Sequence, residues 1–410
     1  MKLREVTTGK KDFDLYSEII DFKLHEEIIK LADKFRGRRI LHINSTEAGG
    51  GVAQLLKSVV PLTKDLGIDS HWYVVEAPID FFVITKKLHN GLQGAKVRFS
   101  DQDWKLYEKI NKQFAEFVQP SQWDFIFIHD PQPAGIINYL EKAGAKWVWR
   151  CHIDLSKSNL NVVPKFLPYL EKYDGYVFTL KQYIFPALRK HRQRVGIVPV
   201  AIDPLTEKNE LLDIEEARQV VAGYGVNVNK PLMVQISRFD PWKDPLGVIE
   251  AWRLAKIRIP NLQLVLMGDG AADDPEGQNV LEQVLREAQE EEGLFIITDS
   301  NDTAVNALQT AADVVLQKSI REGFGLTVSE ALWAKTPVVG GNVGGIPSQV
   351  ENGKDGYLVS TPKEAAKRVV QIINNPIKAR RMGQWGHEYV RRNFLMPHMI
   401  KNELKFLQKL

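Results

Sequence analysis

A polar, mainly helical opening stretch ends at Gly37, and short β-branched runs then alternate with longer amphipathic stretches. The runs "RRILHIN", "HWYVVE", "DFIFIHD", "KWVWRCHI", "DGYVFTL" and "GIVPV" read as strands. Between the first two, "GGGVAQLLKSVVPLTKDLG" carries apolar residues at helical spacing and stops at a glycine. Such alternation predicts an α/β fold, a parallel sheet with helices on its faces. After "VPVAIDPLTEKNE" and a charged helical stretch the pattern restarts with "PLMVQIS", "LQLVLMG", "LFIIT", "DVVLQ", "TPVVG" and "GYLV". Two successive series predict two Rossmann-like β/α/β domains, residues 1–200 and 201–385, joined near residues 200–230. The last stretch, 386–410, reads as helices broken at Pro397 and is expected to pack back on the first domain.

A length of 410 residues exceeds what one hydrophobic core usually organises, in keeping with two domains. The balance of 54 basic against 51 acidic residues gives no reason to expect nucleic acid or an anionic membrane as partner. A single cysteine, Cys151, rules out an intrachain disulfide and a thiolate metal cluster. The charged N-terminus lacks the apolar centre of a signal peptide, and no apolar run reaches the roughly 18 residues of a membrane span. The expectation is a cytoplasmic protein, with a homodimer left open.

In open α/β sheets ligands bind where strands end and helices begin, so candidate ligand-binding residues lie in the segments after the strands. With two domains, the natural site is a cleft between them. After "RRILHINS", Gly49, Gly50 and Gly51 enter a helix; consecutive glycines let the backbone approach a ligand, or simply make a tight turn. After "PLMVQIS", Arg238 and Lys243 in "RFDPWKDP" could converge on one diphosphate or stand as solvated charges. Gly268, Asp269 and Gly270 form another close-approach turn, with a structural reading open beside the functional one.

After "DVVLQKSI" comes "REGFGLTVSEAL", with Gly323 and Gly325 between two acids. A helix predicted to start near Leu326 offers free N–H groups and its positive dipole end to phosphate. Glu330 falls more than one turn into that helix and Glu322 before it, so neither acid needs to meet the phosphates. Carboxylates accept sugar hydroxyls well, and a nucleotide sugar has hydroxyls on both sides of its diphosphate. In the first domain, strand ends carry His129 with Asp130, and Arg150, His152 and Asp154. One such histidine is usually structural; two strand ends in one domain shift the balance toward function.

Other matches are set aside. "DFD" at 12–14 lies in the charged N-terminal segment, and "DQD" at 101–103 follows Ser100 as a helix cap would. "DDPEG" at 273–277 reads as a turn. There is no G-x-G-x-x-G fingerprint, phosphate-binding G-x-x-x-x-G-K-[ST] loop, G-x-S-x-G elbow or H-E-x-x-H helix.

Taken together, "SRFDPWKD", "MGDG" and "EGFGLTVSE", each after a predicted strand, resemble the retaining GT-B glycosyltransferases related to sucrose and glycogen synthases. A narrower resemblance, on "HINSTEAGGGVAQLLKSVVP", "HDPQP", "WRCHIDLS", "SRFDPWKDP", "DDPEG" and "SIREGFGLTVSEALW", is to the trehalose glycosyltransferring synthases. The resemblance implies two Rossmann-like domains facing across a cleft. It also implies transfer of glucose from ADP-, UDP- or GDP-glucose to free glucose, giving α,α-trehalose and the nucleoside diphosphate.

Carried over by position, the resemblance gives Arg238 and Lys243 the donor diphosphate, with the backbone of Phe324, Gly325, Leu326 and Thr327 cradling it. Glu330 takes the ribose hydroxyls and Glu322 the donor glucose. His152 is placed near the sugar's 6-hydroxyl, Asp130 near the acceptor, Gly50 and Gly51 over both sugars, and Gly268 beside the donor. With Arg and Lys supplying charge no metal or other cofactor is required, and magnesium remains compatible. The strand end "LFIITDSND" carries no sign of which base is preferred. Alternatives left standing are a retaining trehalose phosphorylase, another sugar acceptor, a GT-B sugar-nucleotide epimerase, and a binding regulator without activity.

Overall fold

The computed structural model describes residues 1–48, 50–268, 275–289 and 291–410, with the side chains of 275 and 276 left aside. The chain divides into two compact units, Met1–Ala201 with Met396–Leu410, and Ile202–Leu395.

The first unit is built on seven strands: β1 (Lys2–Glu5), β2 (Arg39–Asn44), β3 (Asp69–Glu76), β4 (Phe125–His129), β5 (Lys146–Cys151), β6 (Gly175–Phe178) and β7 (Val195–Ile197). Their order is β1-β3-β2-β4-β5-β6-β7. All pairs are parallel except β1 with β3. The edge strand β1 was not expected; the helical start follows it, as the turn Asp14–Glu18 and helix Phe22–Asp33. "KLRE" is short and charged, and its place is set by backbone pairing to β3, in the register Lys2 to Glu76, rather than by an apolar pattern.

The second unit has six parallel strands: β8 (Leu232–Ile236), β9 (Gln263–Met267), β10 (Leu294–Ile297), β11 (Val314–Gln317), β12 (Val338–Gly341) and β13 (Gly356–Val359). Their order is β10-β9-β8-β11-β12-β13. Strands β8, β9, β11 and β12 are buried along their whole length, as strands covered by helices on both faces must be.

The C-terminal boundary lies later than 386. Helix Pro376–Asn393 runs unbroken through that position and packs on helices Leu326–Trp333 and Pro362–Ile373 of the second unit. The chain returns to the first unit only with helix Met396–Leu407, and Pro397 sits in its first turn, where a missing N–H costs nothing. Phe406 of that helix fills the space left by Gly175 in β6 and Gly196 in β7. A Cβ at either glycine would lie 2.7 or 2.5 Å from its ring. Burying such a ring is worth about 1.5–3 kcal/mol, one contribution to holding the last helix on the first sheet beside buried Met399, Ile400, Leu404 and Leu407.

Each sheet has one place where the strand order reverses. In the first unit it lies between β2 and β4, and in the second between β8 and β11. Ligands of open α/β sheets bind beside such reversals, at the carboxyl ends of the strands.

Candidate active site

In the second unit the two segments flanking the reversal are those that carry Lys243 and Glu322. Beyond β8, Asp240 accepts the Trp242 N–H at 2.8 Å and starts the single turn Pro241–Lys243. Asp244, left-handed at φ 53°, caps helix Pro245–Lys256 by accepting from Gly247 N–H. Gln235 of β8 donates to the Lys243 carbonyl at 2.8 Å, fixing where the lysine leaves the backbone. Beyond β11, Ile320 N–H donates to the Trp242 carbonyl at 2.7 Å and ties the two segments together.

That tie brings Lys243 Nζ to 2.6 Å from Glu322 Oε2, and the Ser319 hydroxyl donates to the same oxygen at 3.1 Å. Lys318 pairs with Asp244 directly beside them. Glu322 keeps only 9% of its side chain exposed, so its charge rests on these partners rather than on water. Arg238 stands outside the pair: it is exposed, and its ion pair is with Asp240 at 3.5 Å.

Gly325 supplies the left-handed turn, φ 85°, that opens helix Leu326–Trp333, whose first N–H groups have no partner inside the helix. The turn is moulded by residues the sequence did not single out. Gly344 lies so close that a Cβ there would sit 1.9 Å from the Glu322 carbonyl oxygen, and one at Gly345 would sit 2.7 Å from Phe324 Cα. Gln349, fully buried, donates to the Phe324 carbonyl at 2.5 Å and accepts from Ser329. Phe324 itself is buried against Phe394, and the Thr327 hydroxyl donates to the Ile236 carbonyl at 3.3 Å. A repeated Gly-Gly after a strand was the one available signal for this second wall.

Glu330 is buried within the helix, with Lys208 Nζ 2.8 Å from Oε1 and Gln309 Nε2 3.4 Å from Oε2. Lys208 comes from the segment after β7, which carries no pattern pointing to it. Gly268 is explained by packing. A Cβ there would meet the Ser237 carbonyl at 1.8 Å, and its N–H is committed to Ile297. Gly49, Asp269, Gly270, Asp273 and Asp274 lie outside the described residues. Of the motifs set aside, Ser100 indeed caps helix Asp101–Ala115, in a reciprocal box with Asp103.

In the first unit, Gly50 and Gly51 open helix Gly51–Asp65 after β2, and a side chain at Gly50 would meet nothing within 4 Å. Across the reversal, Asp130 follows β4 with a left-handed backbone, φ 62°. Its Oδ1 accepts the His152 N–H at 2.8 Å, its carbonyl accepts Trp149 Nε1, and burial pushes its carboxyl up to about 7.

His152 does not stand alone. His129 Nδ1 lies 3.0 Å from His152 Nε2, and His42 Nδ1 lies 3.1 Å from His129 Nε2. Burial, reinforced by positive charge at Arg150, takes His42 down to about 3 and holds His152 well below the usual histidine range. Burial does the same to His129, with the neighbouring histidines and Arg150 adding to it. Arg150 is itself buried and paired with Glu403 of the last helix. Among the described residues, no cluster of three or more His, Cys, Asp or Glu side chains is placed to hold a metal ion, and no helix is long and apolar enough to cross a membrane.

Comparison with known proteins follows the same division. Residues 42–185 match the family described as trehalose synthase, N-terminal domain, and residues 217–389 match glycosyl transferases group 1. The chain is 42% identical over 415 residues to the trehalose synthase of Rubrobacter xylanophilus, covering 100% of this chain and 99% of that one. This chain belongs to the trehalose synthase family. Like others of its kind it is a GT-B glycosyltransferase. The fold likeness extends to sucrose-phosphate synthase from Thermosynechococcus elongatus, with TM-score 0.66, 18% identity, and coverage of 90% of this chain and 98% of that one. It extends also to Anabaena HepE in complex with UDP and glucose, with TM-score 0.67, 16% identity, and coverage of 91% and 100%. In this trehalose synthase relative, the two family matches fall one in each unit.

Proposed function

We propose that the chain transfers glucose from a nucleoside diphosphate glucose to free glucose with retention, forming α,α-trehalose and the nucleoside diphosphate. The observation that carries this is the Lys243–Glu322 pair, seated on the glycine turn that opens helix Leu326–Trp333. Departure of the diphosphate places negative charge on phosphate and positive charge on the anomeric carbon. Lys243, with Arg238 swinging in from solvent and the N–H groups of Gly325, Leu326 and Thr327, answers the first charge. Glu322 answers the second and holds the sugar hydroxyls.

Groups already fixed before the reaction need no reorganisation as charge develops, and each is typically worth about 3–4 kcal/mol. Lys243 and Glu322 neutralise one another in the free protein, so a diphosphate that takes over the ammonium leaves the carboxylate to face the sugar. Attack on the same face as departure, with the leaving phosphate taking the acceptor's proton, gives retention without a protein nucleophile. In the first unit His152 meets the donor sugar near its 6-hydroxyl, Asp130 meets the acceptor, and Gly50 and Gly51 leave room for both. Glu330 reaches the ribose by exchanging part of its contact with Lys208 for hydroxyl donors. Magnesium bound to the diphosphate adds charge, and no side chain is assigned to it.

Support comes from the full-length likeness to a protein named trehalose synthase and from the UDP and glucose held by a fold neighbour. The test is a panel of UDP-, ADP- and GDP-glucose against free glucose, glucose 6-phosphate and fructose 6-phosphate, with products separated and identified. Disaccharide from free glucose supports the proposal, and product from a sugar phosphate alone reassigns the acceptor. A phosphorylase is the second reading, because one ammonium beside free N–H groups suits inorganic phosphate as well. Turnover of glucose 1-phosphate with glucose, and of no nucleotide sugar, selects it.

A further inference from the structure

His42, His129 and His152 come from three strands adjacent in the sheet, in the order β2, β4 and β5. His42 and His129 are 1% and 2% exposed, and His152, just beyond β5, is partly exposed. The ring planes of His129 and His152 lie within 15° of each other, and His42 stacks on Phe127 at 20°. The facing nitrogens are 3.1 and 3.0 Å apart, the separation of N–H to N hydrogen bonds. Each contact consumes one nitrogen from each ring, so these rings point at one another instead of converging on a common centre as metal ligands do.

A neutral imidazole carries one N–H and one lone pair. The middle ring, His129, uses both nitrogens, and this couples the two contacts. If its proton is on Nδ1, it donates to His152 Nε2 and must accept from His42 Nδ1. His152 then carries its own proton on Nδ1. If the His129 proton is on Nε2, every contact reverses, and His152 Nδ1 is a bare lone pair. Any other arrangement sets two N–H groups or two lone pairs face to face inside the protein. The charged neighbours are Arg150, already paired with Glu403, and Asp130, engaged with the His152 backbone.

We propose that His42 and His129 are positioning residues that tie the tautomer of His152 to their own, so that the proton order of the three rings decides whether His152 Nδ1 offers a hydrogen or a lone pair to a sugar hydroxyl. The role in transfer rests on the assignment of His152 to the donor sugar. The locked proton order does not, and it is measurable in the free protein.

The experiment uses the full chain labelled with ¹⁵N in histidine, with ring nitrogen–proton correlation spectra read for each imidazole. In the wild type the three rings show single tautomers in one common order. His42→Phe keeps a flat ring and loses the nitrogen. His152 then becomes a mixture of tautomers, and kcat falls about five- to tenfold, the worth of one buried hydrogen bond, while KM for the donor changes little. His42→Asn, whose amide can supply a partner for His129 Nε2, restores that bond, a common proton order in His129 and His152, and most of kcat. Mixed tautomers in the wild type, or a His152 spectrum unchanged in His42→Phe, overturn the relay. Unimpaired transfer by His152→Ala overturns its catalytic role instead, with the wild-type spectra still deciding the proton order.

Discussion

Lys243 and Glu322 lie 79 positions apart and meet at 2.6 Å, each carried by one of the two loops that flank the strand reversal of the second sheet. Neither residue is held by its own side chain alone. Gln235 anchors the lysine's carbonyl, the Ile320 to Trp242 hydrogen bond joins the loops, and Ser319 supports the carboxylate. The pair is therefore set by the protein itself, which suits the charge-stabilising role proposed for it.

Glu322→Gln keeps the shape of the side chain and removes its charge. Transfer should fall at least about 100-fold, the scale for losing one preorganised group, with the melting temperature nearly unchanged. Lys243→Ala should reduce kcat similarly and also weaken nucleotide binding. Arg238→Ala, from a residue that is exposed in the free protein, should act on transfer with no loss of stability. Steady-state kinetics beside thermal melts separate these outcomes.

The buried Glu330 carboxylate depends on Lys208. Lys208→Ala leaves that charge without its ammonium and should destabilise the fold by up to about 3 kcal/mol, measured by urea unfolding. Lys208→Met together with Glu330→Gln should recover much of that loss, because two neutral groups need no pairing. It should still raise KM for the nucleotide sugar, as the ribose contact proposed for Glu330 requires.

The buried histidines give stability a definite pH sense. His42 titrates at about 3 in the folded protein, below its unfolded value, so its contribution is present above about 6.5 and is lost as pH falls toward 3. His129 and His152 act in the same direction. Asp130 opposes them: raised to about 7, its contribution is full below about 4 and is lost as pH rises through 7. The destabilisation caused by His42→Phe should therefore shrink by up to about 1.4 kcal/mol per pH unit below 6.5. Asp130→Asn should remove a loss of stability on the way from pH 4 to 7. Unfolding curves at pH 4, 5.5 and 7 read both.

Gly344 has a left-handed backbone, φ 58°, and no room for a Cβ against the Glu322 carbonyl. Gly344→Ala must push the turn at Glu322–Gly325 away. A loss of about 1–3 kcal/mol in stability and a larger loss in kcat than in nucleotide affinity are expected. Gly50→Ala meets no atom and should fold as the wild type does.

The buried strands of both sheets were legible because uninterrupted β-branched runs leave few other readings, and the helix start at Leu326 followed from its glycines. β1 was not, since four mostly charged residues at a sheet edge are defined only by their partner strand. The boundary set at 386 failed for a related reason: helix Pro376–Asn393 looks continuous with the last helix, and only packing shows where the chain changes units. Among the candidate residues, Glu322 and Lys243 of the second unit, and His152 and Asp130 of the first, could be singled out from their places after strands. His42, Lys208, Gly344 and Gln349 could not. His42 sits inside a strand, Lys208 in an unpatterned connection, Gly344 is marked only by a repeated Gly-Gly, and Gln349 works through contacts that packing alone reveals.

The most direct test of glucosyl transfer with retention uses UDP-glucose and free [1-¹³C]glucose, followed by NMR. Each nucleoside diphosphate released should be matched by one trehalose that is α-configured at both anomeric carbons and carries one labelled glucosyl unit, and the Glu322→Gln chain should form it at least about 100-fold more slowly. A β-configuration at the donor-derived carbon, or nucleoside diphosphate released without disaccharide, would contradict it.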